Sequence, residues 1–185
     1  MNDQLISFFL AHLGVPDVAE RAEEIIAAHG GDSPHLRLTA TVIAGYQVLL
    51  RSVPRDEALR RVAAAFHEPI RPFVHDGTRE MLDSADDPFT AMVDTSKDRE
   101  DNYFGADFTF VRSADDGRSY LVDVHRCFYW DLLRANDVPE LGPVFCEFDA
   151  AWIGAIDPDR HGFTFSRPTT LARGGATCPF HFYRS

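Results

Sequence analysis

The hydrophobic period of this 185-residue chain changes once, near residue 102, and this change restricts the fold more than any other feature. Before it, apolar residues recur at the three- and four-residue spacing of amphipathic helices. After it, apolar and polar residues alternate with the period of two that is typical of strands. Helices followed by strands, rather than helices alternating with them, predict an α+β fold.

Six helical segments are predicted before the change. Prolines near their starts, acidic residues in early turns and glycines after their ends mark several of the boundaries. The third segment, LRLTATVIAGYQVLL, is apolar nearly all round, which predicts that it is the central and most buried helix. The six segments cover about residues 3–14, 16–31, 36–52, 54–68, 73–85 and 87–96.

Four strands are predicted after the change, near residues 103–113, 118–126, 162–171 and 178–184. Two helical stretches, FYWDLLRAND and PELGPVFCEFDAAWIGAI, separate the first pair from the second. The predicted order is therefore ββααββ in a small four-stranded antiparallel sheet. We expect a single domain, residues 1–185, in which the helical part (1–100) packs on the sheet and residues 101–185 carry the functional site.

Composition and charge exclude several kinds of partner. The formal net charge is −11, from 29 acidic and 18 basic residues, which disfavours nucleic acid because phosphate backbones bind basic surfaces. No apolar run is long enough to span a bilayer, and the start MNDQLISFF lacks the basic region of a secretory signal. We therefore expect a cytoplasmic protein with reduced thiols that acts on a small molecule and binds neither nucleic acid nor membrane. Assembly as a homo-oligomer stays open.

The three cysteines lie late in the chain, each in an unusual local context. Their separations do not match a zinc signature, and free cysteines often only pack in a core, so spacing alone favours no site. Cys127 is predicted to end a strand directly before a helix, where unpaired N–H groups stabilise a thiolate. Cys146 and Asp149 would share one face of a continuous helix. Cys178 opens the last strand after two glycines, which permit close approach of a ligand.

The same region resembles the L-2-amino-thiazoline-4-carboxylic acid hydrolase family. The resemblance covers about the last 65 residues well, whereas the helical half matches only in general character. The motifs are an Arg-Cys pair before an aromatic-rich helix, a Pro-Glu-Leu-Gly-Pro connection, a Cys-x-x-Asp, and an Arg-Gly-Gly run into Cys-x-Phe-x-Phe-x-Arg. In this chain they are Arg126-Cys127, Pro139–Pro143, Cys146–Asp149, Arg173–Gly175 and Cys178–Arg184.

The resemblance implies a hydrolase that acts on the non-peptide C–N bond of a cyclic amidine. The activity that names the family opens the ring of 2-aminothiazoline-4-carboxylate to N-carbamoyl-cysteine, by adding water at the carbon between the nitrogens and the sulfur. A related heterocycle of specialised metabolism is a further candidate substrate. The alternative is a non-catalytic module that binds a small ligand or a metal with the same residues.

Two mechanisms fit these residues. In the first, a thiolate of Cys127, Cys146 or Cys178 attacks the amidine carbon while Asp149 or a histidine transfers protons. In the second, the same four residues hold a divalent metal, zinc or manganese, that generates hydroxide. The first is favoured, because four protein ligands would close a tetrahedral metal site against substrate. In either case we expect the three sulfurs and the Asp149 carboxylate to converge within about 8 Å beside a pocket.

The remaining candidates are strand histidines, arginines and one tyrosine of the same region. A histidine can transfer protons near neutral pH, and an arginine can bind a substrate carboxylate through two parallel hydrogen bonds. The candidates are His125 and His181 for proton transfer, and Arg126, Arg173, Arg184 and Tyr129 for substrate binding.

Overall fold

The computed structural model describes residues 2–185 and has an α+β fold. Within those residues there are ten α-helices and four strands, and helices are not confined to the N-terminal part. The helices are α1 (Asn2–Leu13), α2 (Val18–His29), α3 (Pro34–Leu49), α4 (Arg55–His67), α5 (Arg71–Ser84), α6 (Pro88–Asp98), α7 (Phe128–Ala135), α8 (Gly142–Glu147), α9 (Ala150–Ile153) and α10 (Pro158–His161). The strands are β1 (Thr109–Asp115), β2 (Ser119–Arg126), β3 (Phe163–Ser166) and β4 (Cys178–Arg184).

The six helices predicted before residue 100 are present as α1 to α6, and local signals set their ends. The Ser33 side chain caps α3 by accepting a hydrogen bond from the Leu36 backbone N–H, and Pro34 occupies the first turn. Gly30 ends α2 in the left-handed region, with φ 77°. The sequence signals and the observed boundaries therefore have the same physical origin.

The predicted four-stranded antiparallel sheet is confirmed, with the strand order β1-β2-β4-β3. β1 begins later than predicted because Arg99–Phe104 forms a π-helix and Gly105–Asp107 a 3-10 turn. β3 ends at Ser166, five residues before the predicted end at residue 171. Pro168 follows closely and has no N–H with which to continue a ladder.

The predicted ββααββ order is wrong in its helices, since four helices rather than two lie between β2 and β3. α7 stops at Ala135, and Asp137 then adopts φ 57° in the left-handed region. The second predicted helix divides into a 3-10 turn (Pro139–Leu141) followed by α8 and α9. Further on, the Asp157 side chain caps α10, which begins at Pro158.

Two compact units divide the chain, and each is discontinuous in sequence. The helical unit comprises the residues up to Pro72 together with Tyr129–Phe148. In it α3 packs against α1, α2 and α4 and is buried on all sides, as predicted. Gly45 permits the approach of α1, since an added Cβ would lie 2.7 Å from the Leu13 side chain.

The sheet unit comprises Phe73–Phe128 and Asp149–Ser185, and its core lies on one face of the sheet. Alternate side chains of each strand point to this side, which we call the core face; the other side is the outer face. Helices α5, α6 and α9 supply the residues that cover the core face. The buried cluster consists of Leu82, Phe89, Met92, Val93, Tyr120, Val122, Trp152, Phe163 and Phe182.

Candidate functional site

The antiparallel register brings two of the three cysteines to one edge of the sheet. Val124 of β2 lies directly opposite Cys178, the first residue of β4. β2 ends at Arg126, and Cys127 follows immediately, directly before α7 as predicted. Cys127 and Cys178 therefore lie at the same edge, where β2 ends and β4 begins. We call it the cysteine edge.

The two candidate histidines lie on the other side of the sheet from the Cys178 side chain. Cys178 is buried and shares the core face with Phe180, two residues along β4. His181 alternates to the outer face, and so does His125, the residue after Val124 in β2. The structure thus brings Cys127 and Cys178 together at an edge but does not bring either histidine to the Cys178 side chain.

His181 belongs to a polar group on the outer face. Its Nε2 lies 3.1 Å from Asp123 Oδ1, and its Nδ1 lies 3.4 Å from the Tyr183 hydroxyl. His125 is exposed on the same face. A carboxylate that orients an imidazole is an arrangement used for proton transfer, and here it would serve a molecule bound to the outer face.

The Asp149 carboxylate is held on both of its oxygens. Trp152 Nε1 donates to Oδ1 over 2.9 Å, and the Arg167 guanidinium donates to Oδ2 over 2.5 Å. Asp149 precedes α9, which carries Trp152, whereas Arg167 directly follows β3. No motif of the sequence predicts Arg167, although it lies in the stretch SRPTTLAR, which ends at the predicted Arg173. Only the fold shows that it pairs with Asp149.

Aromatic rings of the core face complete the surroundings of this ion pair. The Arg167 guanidinium carbon lies 5.2 Å from the centre of the Phe180 ring, within the range of a cation–π contact. Trp152 is nearly parallel to Phe180, with ring centres 6.3 Å apart and an interplanar angle of 21°. Because Phe180 and Cys178 are two residues apart on the same face of β4, the Asp149–Arg167 pair adjoins the cysteine edge.

The two glycines before Cys178 shape the loop that leads into β4. Gly174 adopts φ 84°, in the left-handed region. Gly175 donates its N–H to the Thr170 carbonyl over 3.0 Å, and an added Cβ would lie 2.7 Å from the Thr169 side chain. The space beside Gly175 is therefore taken by Thr169, so the glycine pair closes the loop on itself.

The three predicted arginines occupy different places. Arg126 ends β2 at the cysteine edge and is exposed, and Arg173 lies in an exposed 3-10 turn before Cys178. Arg184 lies at the opposite end of β4 from Cys178, where its two terminal nitrogens lie 3.1 and 2.8 Å from the Asp87 carboxylate oxygens. This pairing holds the pKa of the Asp87 carboxyl far below its ordinary value, with Thr90 contributing further hydrogen bonds.

Cys146 belongs to the helical unit, in the last turn of α8. α8 ends at Glu147, so the continuous helix that would place Cys146 and Asp149 on one face is absent from the described residues. His67 anchors α8 by donating from Nε2 to the Val144 carbonyl over 2.8 Å. The predicted convergence of Cys146 with the residues of the sheet unit stays a prediction.

Tyr129 is also part of the helical unit, where its hydroxyl lies 2.9 Å from Nδ1 of the buried His35. Its ring lies against Phe145 of α8, with ring centres 5.2 Å apart. In the same unit the Glu140 carboxylate accepts hydrogen bonds from Tyr46 (2.8 Å) and Arg55 (2.7 Å). The Pro-Glu-Leu-Gly-Pro connection is thus fixed to the helices by its glutamate.

The metal site of Cys127, Cys146, Asp149 and Cys178 stays a prediction, because Cys146 belongs to the helical unit and the other three to the sheet unit. Among residues 2–185, no group of three or more His, Cys, Asp or Glu side chains is arranged to hold a metal ion. The Asp149 oxygens are bound by Arg167 and Trp152, both of which are hydrogen-bond donors. A carboxylate engaged by a cationic side chain is a poor ligand for a second cation.

An open cavity of about 390 Å³ also lies in the sheet unit, lined by Glu100, Asp101, Gly105, Phe110 and Arg112. Phe110 of β1 lies opposite Val124 of β2, and Val124 lies opposite Cys178 of β4. The cavity therefore borders the same end of the sheet as Cys178. Two of its charged groups form an ion pair, in which Arg112 donates to Glu100 over 2.9 Å. Such a cavity offers room for a small molecule beside the sheet.

Comparisons with known proteins support one family. The model of the L-2-amino-thiazoline-4-carboxylic acid hydrolase family matches residues 35–182, which include the cysteine edge, Asp149 and Arg167. No curated protein and no solved structure matches the chain significantly. In residues 2–185, no helix is both long enough and apolar enough to cross a membrane.

Proposed function

The chain belongs to the L-2-amino-thiazoline-4-carboxylic acid hydrolase family, and on this basis we propose that it hydrolyses the amidine of 2-aminothiazoline-4-carboxylate or of a related heterocycle. The observation that carries the proposal is the family match over residues 35–182. The geometry of the sheet unit is compatible with it. A carboxylate, aromatic rings and two thiols at one edge provide the groups that such a reaction uses.

The proposed reaction adds water to the C=N bond of the ring. The amidine carbon carries two nitrogens and a sulfur, and addition at this carbon gives a tetrahedral adduct. Expulsion of the ring sulfur then opens the ring and leaves a urea, N-carbamoyl-cysteine in the case of the family's named substrate. Expulsion of the exocyclic nitrogen as ammonia would instead leave the ring closed. The two outcomes differ in mass and in the appearance of a free thiol.

We propose Cys127 as the nucleophile. It is half-buried at the start of α7, where N–H groups of a first turn stabilise a thiolate, whereas Cys178 is buried. Its thiolate would bond to the amidine carbon, and the ring C–S bond would break with a proton taken up by the departing sulfur. Water would then attack the same carbon, the bond to the Cys127 sulfur would break, and the urea would be released.

The remaining roles follow from position. Arg126 and Arg173 lie close in sequence to the two edge cysteines and are the proposed partners of a substrate carboxylate. Arg184 is not proposed for this role, because it pairs with Asp87 at the far end of β4. No step is assigned to a metal, because the Asp149 carboxylate already accepts hydrogen bonds from Arg167 and Trp152. The three cysteines form no disulfide, which suits the reducing conditions of the cytoplasm, and we propose the cytoplasm as the location.

The test is incubation of the purified protein with a panel of cyclic amidines and isothioureas, followed by mass spectrometry and titration of free thiols. We expect at least one substrate to gain the mass of one water and to release one thiol per molecule. A Cys127→Ala variant, prepared in parallel, distinguishes enzymatic from spontaneous hydrolysis. Ligand binding without any change of mass would instead support the non-catalytic module.

A further inference from the structure

We infer that Asp149, Trp152 and Phe180 form the subsite for the planar amidinium end of the substrate, and that the Arg167 guanidinium fills this subsite in the present structure. The inference rests on the proposed function for the identity of the substrate. It assigns a ligand class, a flat cation with in-plane N–H groups, to a specific group of side chains. Arg167 is then a specificity-determining residue that competes with the substrate.

The group that Asp149, Trp152 and Phe180 surround has the shape of a substrate amidinium. A guanidinium and a 2-aminothiazolinium are both planar cations in which one sp² carbon carries N–H groups that point outward. The Asp149 Oδ2 accepts from Arg167 Nη1 over 2.5 Å, which is the charge-assisted hydrogen bond that such a cation makes with a carboxylate. The guanidinium carbon lies over the Phe180 ring, 5.2 Å from its centre, in a cation–π contact.

The Asp149 carboxylate is oriented by Trp152 as well as by Arg167. Trp152 Nε1 donates to the other oxygen of Asp149 over 2.9 Å, so the carboxylate keeps its direction without Arg167. Trp152 itself is buried and stacked on Phe180. Two of the three subsite residues are thus fixed relative to each other by packing, and the third by a hydrogen bond. A site whose groups are oriented before binding loses less entropy when a ligand binds.

The negative charge and partial burial of Asp149 select a cationic occupant. The Arg167 side chain is only 11% exposed and Asp149 27% exposed, so Arg167 supplies a counter-charge to a partly desolvated carboxylate. A neutral or anionic occupant would leave the Asp149 carboxylate without a counter-charge in a partly desolvated place. The subsite therefore accepts a cation, and the adjacent rings restrict that cation to a flat one.

The Arg167 side chain can move away from Asp149 without disrupting the sheet. Arg167 directly follows Ser166, the last residue of β3, and it takes no part in the β3–β4 ladder, whose last pair is Ser166 with His181. A change of its side-chain rotamer breaks the contact with Asp149 but no strand pairing. The substrate amidinium can then make the same contacts beside Cys178, which shares the core face with Phe180.

The experiment removes the internal guanidinium and supplies an external one. Ethylguanidinium, at millimolar concentrations well below those that denature proteins, is titrated into wild type and Arg167→Ala, with binding followed by calorimetry and by the melting temperature. We expect a Kd of about 1 mM for the variant and at least tenfold weaker binding, about 10 mM or more, for wild type. The double variant Asp149→Asn/Arg167→Ala should not bind.

Arg160→Ala is the matched control. It removes an arginine that contacts Asp83 over the same 2.5 Å, but whose side chain is 54% exposed. Ethylguanidinium should bind this variant no more tightly than wild type, with a Kd of about 10 mM or more. Equal binding to both arginine variants would mean a generic ion-pair effect and would overturn the inference. If Arg167→Ala does not fold, Arg167→Gln keeps the size of the side chain without its charge, and the same titration applies.

The ligand class is tested by competition. The probe is 2-amino-2-thiazoline, which is the substrate ring without its carboxylate, and it should displace ethylguanidinium from Arg167→Ala. Failure to compete would refute the assignment of the subsite to amidinium groups. This readout is independent of turnover. Competition without hydrolysis of any amidine would keep the subsite and reject the proposed function. Hydrolysis by wild type without competition in the variant would keep the function and reject the subsite.

Discussion

Val124 and Cys178 face each other across the β2–β4 pair, and this single register contact relates the two cysteines of the sheet unit. It sets Cys127 just past the end of one strand and Cys178 at the start of its neighbour. It also fixes which face of β4 carries the Cys178 sulfur.

Substitution of Cys127 should abolish turnover while leaving the protein folded. We expect Cys127→Ser to lower kcat by about 10³-fold or more, because a hydroxyl is a far weaker nucleophile than a thiolate at neutral pH. Iodoacetamide should label Cys127 faster than Cys178, since Cys127 is half-buried and Cys178 buried. Peptide mass spectrometry identifies the labelled residue. An active Cys127→Ser variant, or exclusive labelling of Cys178, would move the nucleophile to β4.

Removal of metal ions should not change the activity. The proposed thiol mechanism needs no metal, and no group of three potential ligands is arranged to hold one among residues 2–185. Turnover is measured before and after dialysis against a chelator, together with elemental analysis of untagged protein. Near-stoichiometric zinc or manganese, with activity lost on its removal and restored on its return, would contradict the thiol mechanism.

Two glycine substitutions should have opposite effects on stability. In Gly175→Ala the new Cβ would lie 2.7 Å from the Thr169 side chain and 2.8 Å from the Thr177 carbonyl oxygen. We expect a loss of about 1–3 kcal/mol in the free energy of unfolding and reduced turnover, because this loop leads into Cys178. Gly77→Ala is the control, since Gly77 is helical with no atom near an added Cβ. It should gain up to about 1 kcal/mol. Urea unfolding measures both.

The His67 imidazole should make stability depend on pH in the acid range. Burial lowers the pKa of this buried group from the ordinary value of 6.5, so the unfolded chain takes up its proton at higher pH than the folded protein does. The contribution of His67 to the free energy of unfolding is therefore complete above about pH 6.5 and is lost as the pH falls through the lowered pKa.

His67→Gln tests this dependence, because glutamine keeps a donor for the Val144 carbonyl but does not titrate. Urea unfolding at about pH 7.5 and about pH 5 should show a smaller loss of stability for the variant than for wild type. His12→Gln, at an exposed position in α1, controls for the loss of any one histidine. An unchanged difference between the two pH values in His67→Gln would exclude His67 as the cause.

The sequence predicts the parts of this fold that depend on local periodicity. The change of period near residue 102 separates six helices from a four-stranded sheet, and the apolar character of α3 predicts its central position. Both predictions follow from the spacing of the apolar residues, which is three to four in a helix and two in a strand. The start of α7 directly after Cys127 is predicted for the same reason, since apolar alternation ends there and helical spacing begins.

The sequence does not predict the contacts that depend on long-range choice of partner. Arg167 and Asp149 are 18 positions apart, and nothing in the composition of their segments distinguishes this pair from Arg173 or Arg126 with other acids. Residue type and proximity in sequence predict His125 and His181 as proton-transfer groups, but alternation along β2 and β4 turns them away from the Cys178 side chain. Register and face are decided by packing of the whole sheet, which a single motif does not contain.

The strand order has a consequence for how the chain can be made. β4 lies inside the sheet, between β2 and β3, although it is the last strand along the chain. During synthesis β3 therefore has no strand to pair with until residues 178–184 have left the ribosome, and Phe163 and Phe165 cannot pack against Phe182 until then. Formation of β4 therefore completes the core of the sheet unit. Shortening β4 should leave an aggregation-prone species with unpaired strand edges rather than a smaller folded protein.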